Sequence, residues 1–187
     1  MKRTMMMLMG IVGLNLGAAA QQAPERTGLS DKNVLVAYFS CTGTTERVAQ
    51  AIASETGGDL YRITPAKAYT PADLDWRNNR SRSSVEMRDE GARPELAGKP
   101  LDAGRYDVVF LGYPIWWDLC PRAVNTFLEQ YDFSGKTVIP FATSGSSPIT
   151  NSARELRSLY PKISWREGRL FNGGAGQAGK WARQAIE

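Results

Sequence analysis

Residues 33–48 read NVLVAYFSCTGTTERV, and they carry the strongest indication of the fold. The apolar run at 33–39 predicts a buried strand, and the amphipathic pattern that starts at Thr45 predicts a helix. The turn between them offers hydroxyls, backbone N–H groups and the positive end of a helix dipole to one anion. Its candidate binding residues are Ser40, Cys41, Thr42, Gly43, Thr44 and Thr45.

The turn contains no lysine or arginine, so we expect a phosphate held by neutral donors. A Walker A loop differs because it requires Gly-Lys-Ser/Thr, whereas Gly43 is followed here by Thr44 and Thr45. The alternative is an ordinary strand-to-helix connection in which one of the two threonines caps the helix.

The first twenty residues have the pattern of a secretory signal peptide. A basic start at Lys2 and Arg3 precedes a short apolar stretch and three alanines. The apolar stretch is too short and too interrupted by glycine for stable membrane insertion. We therefore expect an exported, periplasmic protein with a flexible segment at 21–32 and one domain at 33–187. A cytoplasmic protein with an uncleaved leader is the alternative.

Composition excludes several kinds of chemistry. The chain has no histidine, which rules out Ser-His-Asp catalysis, Cys-His catalysis and histidine-based zinc sites. Its two cysteines, Cys41 and Cys120, are too few for a four-cysteine metal site. In an exported protein they could form a disulfide; two unpaired thiols are the alternative. The formal charge of +4 falls to +2 once Lys2 and Arg3 are removed with the leader, and this mild charge without a basic run argues against nucleic acid as a partner.

Strand-like and helix-like segments alternate beyond residue 33, which predicts an α/β fold with a parallel sheet of five strands. The predicted strands are 33–39, 60–63, 108–111, 137–142 and a last region bracketed by 163–165 and 169–171. The predicted helices are 45–56, one that starts at Pro121, 150–160 and 178–186. Residues 65–101, here called the connecting segment, lack strong periodicity. We expect this segment to be functional or mobile, with one short helix at most.

Three turns follow the predicted strands, at 40–45, 112–118 and 143–148. In an open parallel sheet the carboxyl ends of the strands form the ligand site. The second turn has aromatic side chains able to flank a flat heteroaromatic, and the small residues of the third allow close backbone approach to its edge. A phosphate loop and a ring site together indicate a mononucleotide. Because adjacent side chains point opposite ways, we expect one of Trp116 and Trp117 to be core and the other to stack on the ring.

These motifs resemble the flavodoxin family: Ser-x-Thr-Gly-x-Thr after the first strand, GYPIWW at 112–117 and TSGSS at 143–147. More closely, the chain resembles bacterial flavodoxin-like proteins that share the stretch DLDWRNNRSRSSVEMRDEGARPEL at 73–96. The resemblance implies a three-layer α/β/α sandwich with sheet order 2-1-3-4-5, and one tightly held FMN. It assigns the phosphate to the 40–45 turn. The isoalloxazine would be lined by Pro114, Ile115, Trp116 and Trp117, and its other edge by Thr143, Ser144 and Gly145.

The implied function is electron transfer through FMN, to a redox partner protein or a small electron acceptor, by a monomer or weak dimer. The peptide around Trp116, Trp117 and Asp118 is expected to face the central ring nitrogen. Flavodoxins are typically acidic and cytoplasmic, whereas this chain is slightly basic and carries an export signal, which puts the usual partners in doubt.

Two rival functions remain open. One is an FMN-dependent reductase of quinones or similar acceptors, with Trp76, Arg80 and Arg82 of the connecting segment forming a lid. The other is a flavin-free binding module. The G-x-G-x-x-G match at 174–179 is interpreted as a glycine turn into the last helix, because a dinucleotide site also needs a following strand and an acidic residue.

Overall fold

The computed structural model describes residues 32–172 and 174–187, and the structural statements below concern these residues. The predicted signal peptide at 1–20 lies outside them. The predicted flexible segment at 21–32 also lies outside them, apart from Lys32.

A parallel sheet forms the centre of the fold. Its strands are β1 (Val34–Tyr38), β2 (Asp59–Arg62), β3 (Val108–Pro114), β4 (Thr137–Thr143), β5 (Ser164–Trp165) and β6 (Arg169–Leu170). The α-helices are α1 (Thr44–Thr56), α2 (Arg82–Arg88), α3 (Arg122–Gln130), α4 (Thr150–Leu159) and α5 (Ala178–Ile186). The hydrogen-bonded order is β2-β1-β3-β4-β5, and β6 also pairs with β4. This is the predicted order 2-1-3-4-5, with the fifth position divided between two short strands.

Helices cover both faces of the sheet, so the fold has three layers. The apolar residues of α1 and α5 pack with Val34 and Val36 on one face, and those of α3 and α4 pack with Leu35 and Ala37 on the other. Successive side chains of a strand point to opposite faces. All five residues of β1 are therefore buried, as the continuous apolar run predicts.

Pro140 lies in the middle of β4, opposite the break in the edge strand. The carbonyl oxygens of Val138 and Ala142 accept hydrogen bonds from the edge at 2.9 and 2.8 Å. Because alternate residues direct their polar groups to the same side, Pro140 also faces the edge, where it has no N–H to donate. β5 ends at Trp165 and β6 begins at Arg169, so the irregularity signalled by the proline lies in the neighbouring strand.

Strand β3 is longer than the prediction of 108–111. It runs to Pro114 in register with β4. Gly112 is a strand residue because the Phe141 ring occupies the space of a side chain there: a Cβ on Gly112 would lie 2.1 Å from the ring. The turn predicted at 112–118 therefore begins later than expected.

The connecting segment is ordered by its own contacts. It contains one short α-helix, α2, which confirms the prediction of one at most, and Pro65 and Leu96 form an antiparallel bridge. The Arg82 guanidinium lies over the Tyr69 ring, 4.1 Å from its centroid, and donates to Glu86 at 2.6 Å. Tyr69 donates to the same carboxylate, so a closed network holds the segment together.

The G-x-G-x-x-G match enters α5 through a short 3-10 helix at 175–177. Gly179 allows α5 to approach α1 closely, since a Cβ there would lie 2.8 Å from the Glu55 side chain. None of the helices in the described residues is both long and apolar enough to cross a membrane.

Candidate functional site

A cavity of about 590 Å³ lies at the carboxyl ends of β1, β3 and β4. Parallel strands place these ends at one edge of the sheet, which is how loops far apart in the sequence come together. Twelve of the thirteen predicted site residues line it: Ser40, Cys41, Thr42, Thr44, Thr45, Pro114, Ile115, Trp116, Trp117, Thr143, Ser144 and Gly145. Gly43 does not line the cavity; it supplies the bend that begins α1.

The first loop ends in a helix terminus without a side-chain cap. Gly43 is the N-cap of α1 at φ 82°, a left-handed conformation that glycine adopts without steric cost. Its own N–H donates to the Ser40 hydroxyl at 3.1 Å. No side chain among the described residues caps the N–H groups of the first helical turn. These donors are thus available to an anion.

Thr45 and Thr143 join the first loop to the third. Their hydroxyl oxygens lie 2.8 Å apart, and both residues are buried. In such a pair one hydroxyl donates to the other, which leaves the second hydroxyl hydrogen for another acceptor. The pair is therefore both a structural link and a candidate donor to a bound ligand.

A polar cluster supports the first loop from the side of β2. Arg62 donates to the Ser40 carbonyl at 3.2 Å and lies 3.4 Å from the Glu46 carboxylate. The Tyr38 hydroxyl donates to the same carboxylate at 2.9 Å. Burial, and secondly the bond to Glu46, raises the pKa of Tyr38 to about 12. The loop thus has a cation behind its backbone, although its own sequence contains none.

The second loop contains a tight turn at Trp117 and Asp118. The N–H and carbonyl of Trp116 exchange hydrogen bonds with those of Leu119, both at 3.0 Å. The two central residues have positive φ, 48° and 61°, as in a type I′ turn. Such turns favour glycine, asparagine and aspartate, so a tryptophan here is strained.

The two adjacent tryptophans have different environments, as expected. Trp116 packs edge-on against Phe39 and Tyr69, with ring centroids 5.6 and 5.4 Å apart. Trp117 is 46% exposed while lining the cavity. Trp116 therefore belongs to the wall, and Trp117 keeps its surface open to a ligand.

Hydrogen bonds from backbone N–H groups to side-chain oxygens hold the third loop. The Ser144 N–H donates to the side-chain oxygen of Asn172 at 2.8 Å, and the Ser146 N–H donates to the Ser144 hydroxyl at 3.2 Å. Because its side chains are small, a ligand can approach the backbone of this loop closely.

Five cavity residues were not named as binding residues from the sequence: Leu74, Trp76, Ser83, Ser146 and Ser147. The last two lie within the predicted turn at 143–148. The others come from the connecting segment, whose tryptophan was considered only as part of a lid. Arg80 and Arg82, named with it, do not line the cavity, and Arg82 is engaged by Glu86 and Tyr69.

The thiols of Cys41 and Cys120 are not bridged. Burial raises the pKa of Cys41 to about 11 and raises that of the fully buried Cys120 as well. Both are therefore neutral thiols at physiological pH and poor nucleophiles. Among the residues that the structure describes, no cluster of three or more histidine, cysteine or acidic side chains could hold a metal ion.

The model of the family described as flavodoxin matches residues 33–184. The chain belongs to the flavodoxin family. The match covers the whole sheet and all three cavity loops, so the resemblance seen in the sequence motifs is confirmed. No curated protein matches the chain significantly.

Similar solved structures extend this finding. A protein provisionally named a flavoprotein from Bacteroides eggerthii is 54% identical, with a TM-score of 0.78 over 83% of this chain and 96% of that chain. Another so named, from Bacteroides uniformis, is 53% identical, with a TM-score of 0.78 over 81% and 98% of the respective chains. A flavoprotein from Lactobacillus acidophilus, solved in complex with FMN, shares the fold at 20% identity, with a TM-score of 0.63 over 81% of this chain and 99% of that chain.

Proposed function

We propose that this flavodoxin-family protein binds one FMN in the cavity and transfers electrons through it. The observation that carries the proposal is the composition of the cavity wall. The uncapped start of α1, with its hydroxyl-rich loop, and two tryptophans of the β3 loop line the same space. A phosphate and a flat ring joined in one molecule match these two halves.

The residues present fit the phosphate of FMN. The first-turn N–H groups of α1 have no side-chain cap, and Thr42 and Thr44 are exposed beside them. The Thr45–Thr143 pair adds one hydroxyl hydrogen. Arg62 holds the Ser40 carbonyl from behind, so the positive potential comes from the helix dipole and a cation outside the cavity.

The residues present also fit a flat ring. Trp117 offers an exposed indole surface, and the small third loop allows a ring edge to approach its backbone. Neither the Trp117 carbonyl nor the Asp118 N–H has a hydrogen-bond partner within the described residues. The peptide between these residues is thus available to bond a ring nitrogen when its protonation changes.

FMN would supply the redox chemistry, while the protein supplies position and electrostatics. The α1 loop binds the phosphate, and the Trp116 wall with its Phe39 and Tyr69 neighbours keeps water from one side of the cavity. The Trp117–Asp118 peptide, whose carbonyl and N–H have no partner within the described residues, would be available to the ring. No side chain has to act as an acid or a base in this scheme.

The test is the cofactor content of the purified full chain. We expect a yellow protein with the visible absorption of oxidised flavin, and FMN on release by heat. The apoprotein should bind FMN at least about tenfold more tightly than riboflavin, because only FMN carries the phosphate. Equal affinity for the two flavins, or no flavin binding, would contradict the proposal.

A second candidate is an FMN-dependent reductase of small flat acceptors such as quinones. It is favoured by the contribution of Leu74, Trp76 and Ser83 to the cavity wall, because these side chains offer contacts to a small acceptor in the same cavity. Saturation of turnover with a small acceptor would support the reductase. Fast electron exchange with a partner protein, without such saturation, would support the carrier.

We also propose that the protein is exported and functions in the periplasm, as the pattern of residues 1–20 suggests. Expression of the full chain in a Gram-negative host should yield a product in the periplasmic fraction that begins at or near Gln21. Retention of Lys2 and Arg3 in a cytoplasmic product would contradict export.

A further inference from the structure

The aromatic side chains that line the cavity are distributed unevenly. They are Trp76, Trp116 and Trp117. Trp116 and Trp117 are adjacent in the β3 loop, and the Trp116 ring makes edge-to-face contacts with Phe39 and Tyr69. The third loop, TSGSS, has no aromatic residue. Trp76 is therefore the aromatic residue that reaches the cavity from a different part of the fold.

The Trp76 side chain is open to solvent, although it lies against a cavity. It is 71% exposed. Trp76 also lines a second depression, of about 450 Å³, together with its near neighbours Pro71, Ala72, Leu74, Asp75 and Arg77. Trp76 thus contributes to two open depressions. Its indole therefore offers a large apolar surface to a flat ligand in the cavity.

The backbone that carries Trp76 is held in place. The N–H of Leu74 donates to the Thr70 carbonyl at 3.2 Å, and that of Asn78 donates to the Asp75 carbonyl at 3.0 Å. The Asp75 carboxylate accepts two bonds from Arg77, from its N–H and its Nε, both at 3.2 Å. Because the backbone of the turn is already fixed, contact with a ligand has to order only the Trp76 side chain.

The anchoring extends to the rest of the site. The Ser83 N–H donates to the Asp73 carbonyl at 3.0 Å, and the buried Ser83 itself lines the cavity. Tyr69 of the same segment packs on Trp116. The turn that bears Trp76 is therefore tied to the wall formed by the β3 loop.

We propose that Trp76 supplies the second aromatic face to the flat ring bound in this cavity, with the β3 loop supplying the first. This inference rests on the proposed function, and the ring is the isoalloxazine of FMN. The connecting segment is then part of the cofactor site, and its tryptophan covers a ring face that the small third loop leaves open.

The experiment uses the purified full chain and three single variants, Trp76→Phe, Trp76→Leu and Val85→Ala. Leucine keeps apolar bulk without a ring, and phenylalanine keeps a ring. Val85 is the matched control, because it is an exposed apolar residue of the same segment, 50% exposed, that does not line the cavity. Affinity for FMN is measured by calorimetry, and flavin emission from the saturated complex is measured by time-resolved fluorescence.

We expect Trp76→Leu to weaken FMN binding roughly tenfold, and Trp76→Phe to weaken it less. Flavin emission should rise in the Trp76→Leu complex, because an indole in contact quenches it by electron transfer. Val85→Ala should behave as the unsubstituted protein does. Emission and affinity that are unchanged in Trp76→Leu, or equal losses in Trp76→Leu and Val85→Ala, would overturn the inference. Failure of the unsubstituted chain to bind FMN would instead overturn the proposed function.

Discussion

The turns that follow the neighbouring strands β1 and β3 reach positive φ in opposite ways. The first uses Gly43, at φ 82°, and the second uses Trp117 and Asp118, at 48° and 61°. Glycine adopts this conformation without steric cost, whereas it costs other residues about 1–2 kcal/mol, less for aspartate. The β1 loop is thus relaxed, and the β3 loop is strained.

This contrast in backbone strain reflects what each loop contributes to the site. In the β1 loop the backbone N–H groups and hydroxyls are the proposed contacts, so a residue without a side chain is tolerated at the bend. In the β3 loop the indole of Trp117 is the proposed contact, so a large side chain is kept in spite of the backbone. The two Trp116–Leu119 hydrogen bonds hold that backbone in place.

The most destabilising substitution should be one that removes the hydrogen bond between the β1 loop and the end of β4. Thr45→Val removes one partner of the buried Thr143 hydroxyl, and we expect the free energy of unfolding to fall by roughly 1–3 kcal/mol. FMN affinity should fall too, since a donor is lost. Chemical denaturation of the apoprotein and calorimetry with FMN measure the two effects.

Two control variants test whether the effect of Thr45→Val comes from the buried hydroxyl pair. Thr42→Val lies on the same loop but is exposed, and it should change stability by less than about 0.5 kcal/mol. The double variant Thr45→Val/Thr143→Val should recover part of the loss, because no buried hydroxyl is left without a partner. Equal stability of the two threonine single variants would contradict a structural role for the pair.

The next substitution, with a somewhat smaller effect, tests whether the bend of the β1 loop requires glycine. Gly43→Ala should lower the free energy of unfolding by about 1–2 kcal/mol through φ alone, since the nearest atom to the added methyl would be 3.6 Å away, on Arg47. Gly145→Ala is the control, because nothing lies within 4 Å of its Cβ and its φ is not positive. Similar denaturation midpoints for the two variants would show that the left-handed bend is not strained by a side chain.

A substitution that should raise stability, by a smaller amount, tests the strain in the β3 loop. Asp118→Gly should raise the stability of the apoprotein by up to about 1 kcal/mol, because glycine suits the positive φ. Asp118→Ala keeps the strain and should give no gain. The unfolding temperatures of both variants are measured by thermal denaturation. An equal change in both would mean that loss of the carboxylate, not relief of the backbone, is responsible.

The smallest effect is a loss of stability at alkaline pH that involves the thiol of Cys41 in the β1 loop. Burial raises the pKa of this thiol from an ordinary 9.0 to about 11. The associated stability is complete below pH 9 and is lost as the pH rises to about 11, because the unfolded chain loses its thiol proton first. In a Cys120→Ala background, alkylation by iodoacetamide should accelerate up to about pH 11. A rate that levels off near pH 9 would show that Cys41 is not shielded.

Much of the fold was predictable because its signals are local. The apolar run at 33–39 and the turn residues after it place β1 and α1 within a residue or two of their observed ends. The error at β3 has a clear cause. Gly112 resembles a turn residue in the sequence, and the Phe141 ring that fills its place lies on another strand.

The site was only partly predictable for the same reason. Loops that directly follow parallel strands can be assigned to one edge of the sheet. Trp76 and Ser83 follow no strand and have no periodic pattern. Trp76 was therefore considered only as part of a lid in the reductase alternative, and Ser83 was not considered. The support of the first loop by Arg62 also depends on the pairing of β2 with β1.

The alternation of strands and helices, the hydroxyl-rich loop before α1 and the tryptophans of the β3 loop can all be identified from residues close together in the chain. The folded chain adds three outcomes: which side chains line one cavity, that Trp116 packs in its wall while Trp117 is exposed, and that the connecting segment contributes a third indole. Those outcomes depend on packing between elements distant in sequence, and no local pattern records that packing.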